Sequence, residues 1–288
     1  MKQDQSVLLV DGMSLLFRGF YATAVHNNFM RNSEGVPTNA LFGFTRYMLD
    51  AISIYKPTHV ICCWDTPHPT FRHRLYQGYK ANRGAPPEEL LPQFSLVQPL
   101  AASFGALNVE KEGYEADDVI GTLAAQLSPT MNVKILTSDQ DSLQLVDDNV
   151  HAIIMKRGLS NYKPYTIATL YEDFGLYPKQ IIDLKALMGD ASDNYPGVKG
   201  IGEKTALKLL KQYESIEEIL KNVDSLSKGV QTKLKNDLEM LHLSRKLATI
   251  ARNVPVSVDV NQALWLSTND QVFETITKHN LTSIVKLV

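Results

Sequence analysis

Four short apolar runs stand out along the chain: Ser6–Val10 (SVLLV), Thr58–Trp64 (THVICCW), Val133–Thr137 (VKILT) and Val150–Met155 (VHAIIM). They are rich in Val and Ile and continuous rather than alternating, the pattern of strands in a sheet covered on both faces. Between them, helical spacing recurs over Ala40–Tyr55, Glu88–Phe104 and Asp117–Leu127. Strands alternating with helices predict an α/β fold with a mostly parallel central sheet flanked by helices. From Ile167 the pattern changes to amphipathic helices only: Ile167–Phe174, Lys179–Met188, Glu203–Gln212, Ile216–Lys221 and Leu238–Ile250. We place a boundary near Tyr165–Thr166, separating an α/β core (1–165) from an all-helical subdomain (166–260). The stretch 261–288 is weakly patterned and reads only as a C-terminal extension. Thr66–Pro92 is crowded with His, Arg, Lys, Tyr and Pro and has few core-forming positions. It reads as a long insertion at a sheet edge, and such segments are usually functional or mobile.

Composition adds little against this picture. With 44% hydrophobic and 21% charged residues over 288 positions, the chain is an ordinary globular protein of one large or two modest domains. No apolar run is long enough to span a bilayer. The polar start Met1–Gln5 and the acid that closes the first apolar run exclude a signal peptide. Cys62 and Cys63 are neighbours in a predicted strand and point to opposite faces, so they read as two reduced core thiols of a cytoplasmic protein.

The acids carry the candidate chemistry. Asp11 closes the first strand, Asp65 the second, and Asp139 and Asp141 follow the third in TSDQD. In an open α/β sheet the carboxyl ends of the strands converge on one crevice. Glu115, Asp117 and Asp118 begin a predicted helix in EADD, and Asp190 and Asp193 lie three apart in GDASDN. Each has a plainer reading alone: turn former or N-cap for Asp11, dipole complement for EADD, Asx turns for GDASDN. Nine acids converging together would repel by several kcal/mol unless cations sat among them. Oxygen ligands without Cys or His favour Mg²⁺ or Mn²⁺, and two such ions about 4 Å apart suit in-line hydrolysis of a phosphodiester. Net charge is −2, yet setting those nine acids aside leaves 22 against 29 Lys and Arg, a balance of +7. A basic body around a metal-neutralised centre suits a polyanionic substrate.

VDGMSLLFRGFYA, FRHRLYQGYKANR, EGYEADDVIGTLA, LTSDQDSLQLV and LMGDASDNYPGVKGIGEKTALKLL, in this order, resemble the bacterial and phage 5′-3′ exonuclease family. That family includes the N-terminal domain of bacterial DNA polymerase I and stand-alone flap endonucleases. The resemblance implies a PIN-like 5′ nuclease core with a helical arch (about 66–92) and a helix-hairpin-helix-like element (196–205). It implies that Asp11, Asp65, Glu115 and Asp117 serve a first metal site, and Asp118, Asp139, Asp141, Asp190 and Asp193 a second. Because all these acids are kept, an active enzyme is expected. Lys80 and Arg83 match basic residues of the arch near the scissile phosphate. A Lys is a compact charge and an Arg grips two oxygens at once, although a solvated basic helix face has the same composition. Beside them Tyr79 is expected to stack on a base, and Arg72 and Arg74 to track backbone phosphates. Arg31 is a weaker phosphate-contact candidate, next to the segment Gly35–Asn39 that the family places against DNA.

PGVKGIGEKTA reads as a hairpin between two helices; no strand enters it, so it is not a dinucleotide fingerprint. Gly197, Gly200 and Gly202 would let backbone approach a phosphate, with contacts from Lys199, Lys204 and Thr205. The resemblance adds a K⁺ ion on main-chain carbonyls there. Taken alone, the motif reads more readily as a Schellman-type helix end followed by a cap. The expected substrate is DNA with 5′ flaps, nicks or ends, cut in replication or repair by a free-standing monomer working beside a separate DNA polymerase, in the cytoplasm at the nucleoid. Two rivals remain: an RNase of the PIN type, usually lacking both arch and hairpin, and a non-catalytic DNA-binding relative, which would tolerate loss of the acids.

Overall fold

The computed structural model describes residues 5–24, 29–266 and 270–287; the start of the chain through Asp4 lies outside them. The α/β part runs β1 (Ser6–Asp11), α1 (Gly12–Thr23), α2 (Asn39–Tyr55), β2 (His59–Trp64), α3 (Phe71–Leu75), α4 (Leu91–Ser103), β3 (Leu107–Glu110), α5 (Ala116–Leu127), β4 (Asn132–Thr137), β5 (Val150–Met155) and β6 (Tyr162–Tyr165). The sheet order is β3-β2-β1-β4-β5-β6. All neighbours are parallel except β5 and β6. The chain leaves β1 toward β2 and β3, then returns to its other side with β4. The carboxyl ends of β1 and β4 therefore open a crevice at the point where the winding reverses.

The continuous apolar runs are explained by burial on both faces. Leu8, Val10, Val60 and Cys62 join the core under α1, α2 and α4. Val7, Leu9, Ile61 and Cys63 face α5. The two cysteines thus point to opposite faces, and both are free and buried. Two strands escape the sequence pattern. β3 has four residues, and β6 carries Pro164, tolerable because β6 is an edge strand whose missing N–H breaks no ladder.

The helical part comprises α6 (Ile167–Phe174), α7 (Pro178–Met188), α8 (Glu203–Tyr213), α9 (Ile216–Lys221), α10 (Lys228–Asn236) and α11 (Leu238–Ala248). Its core of Leu184, Leu187, Leu209, Leu210 and Ile219 is continuous with Ile154 and Tyr165 of the sheet. The C-terminal stretch does not trail away. Trp265 N–H donates to the Thr58 carbonyl at 2.9 Å, and α12 (Asp270–Lys278), with Leu281 and Ile284 after it, buries its apolar side in the core beside α2 and α4. No helix among the described residues is long and apolar enough to cross a membrane.

The insertion departs from its expected form. Apart from the start of α4 at its end, only the five residues of α3 are helical; from Gln77 to Asn82 the chain makes tight turns, and Arg72, Tyr79 and Leu90 are buried. It folds down as a clamp onto the GDASDN loop. Lys80 N–H donates to Asp193 O at 2.9 Å, Asn82 Nδ2 to Ala191 O at 2.7 Å, and Asn194 Nδ2 to Gly78 O at 2.6 Å.

Candidate active site

Asp11, Asp65, Glu115, Asp117 and Asp139 line one cleft of about 370 Å³, with Lys80 and Arg83 on its rim. Asp11 ends β1 and also fulfils the plainer reading, capping α1 by accepting from Ser14 N–H at 2.9 Å; its other oxygen accepts from Thr137 Oγ1 at 2.7 Å. Asp65 follows β2 and accepts from Ala116 N–H at 2.7 Å, which docks the start of α5 against the strand ends. Burial raises the Asp11 carboxyl to about 7, partly opposed by its two donors and reinforced by Asp65 and Asp139. Burial also raises Asp65. Asp117 goes well above the carboxylate range through burial and then through Asp11, Asp139, Asp65 and Glu115. These buried acids hold one another's charge off, and only cations among them would let all ionise. Among the described residues no three His, Cys, Asp or Glu side chains are grouped so as to hold a metal ion by themselves. The acids line a wall, which fits a hard divalent ion that keeps several waters and takes only one or two carboxylates.

The clamp supplies cations. Lys80 Nζ lies 2.7 Å from Glu115 Oε1, and its backbone sits at φ 55, a left-handed conformation held by the latch to Asp193. Burial lowers the Lys80 amine, but Glu115 and Asp193 outweigh it and the net shift is upward. Arg83 Nη2 meets Asp193 Oδ1 at 2.7 Å and stays half-exposed.

Four expected contacts change role. Arg72 is buried, not poised for phosphates: Nη1 and Nη2 grip the two oxygens of Asp118 at 2.7 and 2.8 Å, and Nε and Nη2 donate to Leu247 O and Thr249 O at 2.8 Å each. Asp118 is fully buried and also accepts from Glu115 N–H and Ala251 N–H, so its oxygens are committed to the fold and do not serve a second metal. Tyr79 is buried and donates toward Glu115 Oε2 (3.0 Å) and Asp193 Oδ2 (2.9 Å); it orders acids and offers no ring for a base. Gly197 is buried at φ 62, where a Cβ would meet Gly189 N at 2.2 Å, so its lack of a side chain serves the packing of the loop and not a phosphate.

Asp139, Asp141, Asp190 and Asp193 occupy the adjoining wall. Asp139 caps a 3-10 turn (Gln140–Leu145) by accepting from Asp141 N–H at 2.9 Å. Asp190 Oδ1 accepts from Ser192 N–H and Oγ, both at 2.7 Å, making the expected Asx turn. The residue missed by sequence reading is Lys185, which reaches Asp141 Oδ1 at 2.7 Å and Asp190 Oδ2 at 2.5 Å. Its one signal was a lysine in the last turn of a helix, five residues before Asp190. Burial acts against the Asp190 charge, but Lys185 and Ser192 win and hold its carboxyl at about 2. Asp141 is instead pushed to about 7 by burial and by Asp139, against Lys185.

The hairpin has an exposed tip at Lys199 and Gly200. Gly200 turns at φ 81, and Gly202, where a Cβ would meet nothing within 4 Å, caps α8 and leaves its backbone approachable. Lys199 and Lys204 are exposed, and Thr205 is half-buried. The Lys199 N–H is spent on Asp237 Oδ2 (2.7 Å), and Lys233 Nζ donates to Gly200 O (2.8 Å), so the α10–α11 corner fixes the hairpin. Arg74 is exposed on α3, and exposed Arg31 ties its own loop by donating to Gly35 O at 2.7 Å.

Strand-end carboxylates beneath a basic clamp, with a glycine hairpin beside them, define a metal-dependent nuclease. Family models agree over nearly the whole chain: the 5′-3′ exonuclease N-terminal resolvase-like domain matches residues 6–175 and the 5′-3′ exonuclease C-terminal SAM fold matches 176–271. The chain belongs to the 5′-3′ exonuclease family. It is 49% identical over 285 residues to a 5′-3′ exonuclease of Bacillus subtilis (strain 168), covering 99% of this chain and 96% of that one. It is 42% identical over 264 residues to DNA polymerase I of Bacillus caldotenax, matching 91% of this chain but only 30% of the polymerase. A bacteriophage T5 5′-exonuclease bearing divalent metal ions (zinc) shares the fold at TM-score 0.69 and 20% identity, covering 98% of this chain and 99% of that one. The catalytic core of Rad2 with a DNA substrate does so at 0.64 and 16%, covering 99% and 93%.

Proposed function

We propose that this protein is a structure-specific 5′ nuclease that hydrolyses DNA phosphodiesters at flaps, nicks and ends, using two Mg²⁺ or Mn²⁺ ions. The observation that carries this reading is the set of mutually repelling acids at the β1/β4 crevice with Lys80 and Arg83 above them. Asp11, Asp65, Glu115 and Asp117 would serve one ion, and Asp139, Asp141, Asp190 and Asp193 the other, each ion taking one or two carboxylates directly and meeting the rest through its waters. When bound, such ions supply an activated water and charge stabilisation at the leaving oxygen. The chain's own residues do the positioning. Lys80 and Arg83 leave their acids for the phosphate oxygens, and Asp11 is kept in place by Ser14 and Thr137. The hairpin and exposed lysines hold duplex backbone without reading bases. A K⁺ ion at the hairpin finds less support, because the Gly200 carbonyl already accepts from Lys233, and no step is assigned to it. The polymerase I relatives support work beside a DNA polymerase, and a monomer is part of the same reading.

The test uses a 5′-labelled DNA flap, a blunt duplex, single-stranded DNA and single-stranded RNA, each with Mg²⁺, Mn²⁺, Ca²⁺ or chelator. Cutting at the flap junction with Mg²⁺ or Mn²⁺ is expected. Equal cutting of single-stranded RNA, or cutting in chelator, would overturn the reading.

A further inference from the structure

Lys185 leaves the last turn of α7, where the helix dipole favours a cation. Its Nζ stands between Asp141 and Asp190, at 2.7 and 2.5 Å, with the side chain 20% exposed. Lys80 and Arg83 differ from it. Each forms an ion pair with one acid and lines the open cleft; Lys185 pairs with two acids and is not part of that lining. Asp190 cannot turn away, because Ser192 holds its other oxygen through both N–H and Oγ. Two of the acids assigned above to a divalent ion are thus already joined by a cation fixed to the chain.

We propose that Lys185 is a resident counter-ion that competes with the divalent ion for Asp141 and Asp190, so that this ion binds weakly and exchanges until a DNA phosphate adds its own charge. The inference rests on the two-ion reading. A monovalent ammonium meets the acids' charge only in part, so it steadies the wall and lowers its ion affinity together. Bound DNA would restore the missing negative charge and tighten the site, which makes the complete metal set a property of the complex.

Calorimetric titration of chelator-treated protein with Mn²⁺, without DNA, tests this on the parent, Lys185→Met and Lys185→Arg. A tighter and a weaker binding event are expected in the parent. Lys185→Met should tighten the weaker event by about tenfold or more, after allowance for screening of a contact this short. Lys185→Arg keeps the charge and should stay near the parent. Thermal melting gives a second readout: Lys185→Met should melt below the parent in chelator and recover at lower Ca²⁺ than the parent needs for its own stabilisation, even if it requires ions to fold. A weaker event unchanged or loosened in Lys185→Met overturns this inference alone. One binding event in all three proteins overturns the two-ion reading and this inference with it.

Discussion

The strand-end cleft and the loop wall beside it use the same residue type and hold it in opposite states. On the strand-end wall, Asp11 and Asp117 form no ion pair with a lysine or arginine among the described residues; burial and mutual repulsion drive their carboxyls up. On the loop wall, Asp190 and Asp193 each meet a cation of the chain, Lys185 and Arg83, and Asp190 falls to about 2. Asp141 lies between the two regimes, touched by Lys185 yet raised by burial and Asp139. At Asp11 and Asp117 the first wall stores unfavourable charge that an added ion would relieve, while Glu115 beside them already meets Lys80. The second is neutralised in advance and can exchange its cations for metal and phosphate. Burial of a carboxylate is therefore no guide to its role, since Asp118, the most buried of the nine, is wholly structural.

The strongest challenge to this contrast is Asp117→Asn. Flap cleavage in Mg²⁺ should fall by about 10³-fold or more, the scale of several kcal/mol of metal stabilisation. In chelator the same variant should melt higher than the parent, because a repelling charge is gone. A lower melting point would show that the wall is not strained. Arg72→Met should cost about 3–5 kcal/mol of stability by leaving the Asp118 charge buried and unpaired. Pairing it with Asp118→Leu should recover much of that loss in denaturant titrations; no recovery would mean the guanidinium acts through the Leu247 and Thr249 carbonyls instead. Lys80→Ala should slow single-turnover cutting by about 10²- to 10³-fold, roughly 3–4 kcal/mol, with little change in melting. Parent-like cutting would remove Lys80 from the chemistry. The last test concerns pH. Asp11 and Asp141 are raised to about 7 from 3.8, so the native state binds more protons than the unfolded one between these values. Metal-free stability should then fall as pH rises from about 4 through 7, and divalent ions should flatten that slope. A flat profile in chelator would place these acids in a solvated setting.

The parallel sheet and its strand-end acids were legible because periodicity is local: a continuous Val/Ile run ending in Asp carries both the strand and the direction of its carboxyl end. GDASDN and the hairpin were legible for the same reason, as short runs whose turn chemistry is set by neighbouring residues. The clamp was not. FRHRLYQGYKANR has the composition of a solvated basic helix, and nothing local says that Arg72 and Tyr79 turn inward. Their partners lie far along the chain: Asp118 at 46 residues and Asp193 at 114. The same holds for the C-terminal stretch, whose apolar side is matched by α2 and α4 and by nothing near it in sequence.

The sequence by itself determined which groups could carry chemistry: the acids at the strand ends, the basic pair Lys80 and Arg83, and the glycine hairpin. Only the tertiary structure decided which acids stay uncompensated and which meet a cation. An ion pair's worth depends on distance and burial, and in this protein the pairs Arg72–Asp118, Arg83–Asp193 and Lys185–Asp141 join segments that only the folded chain brings together.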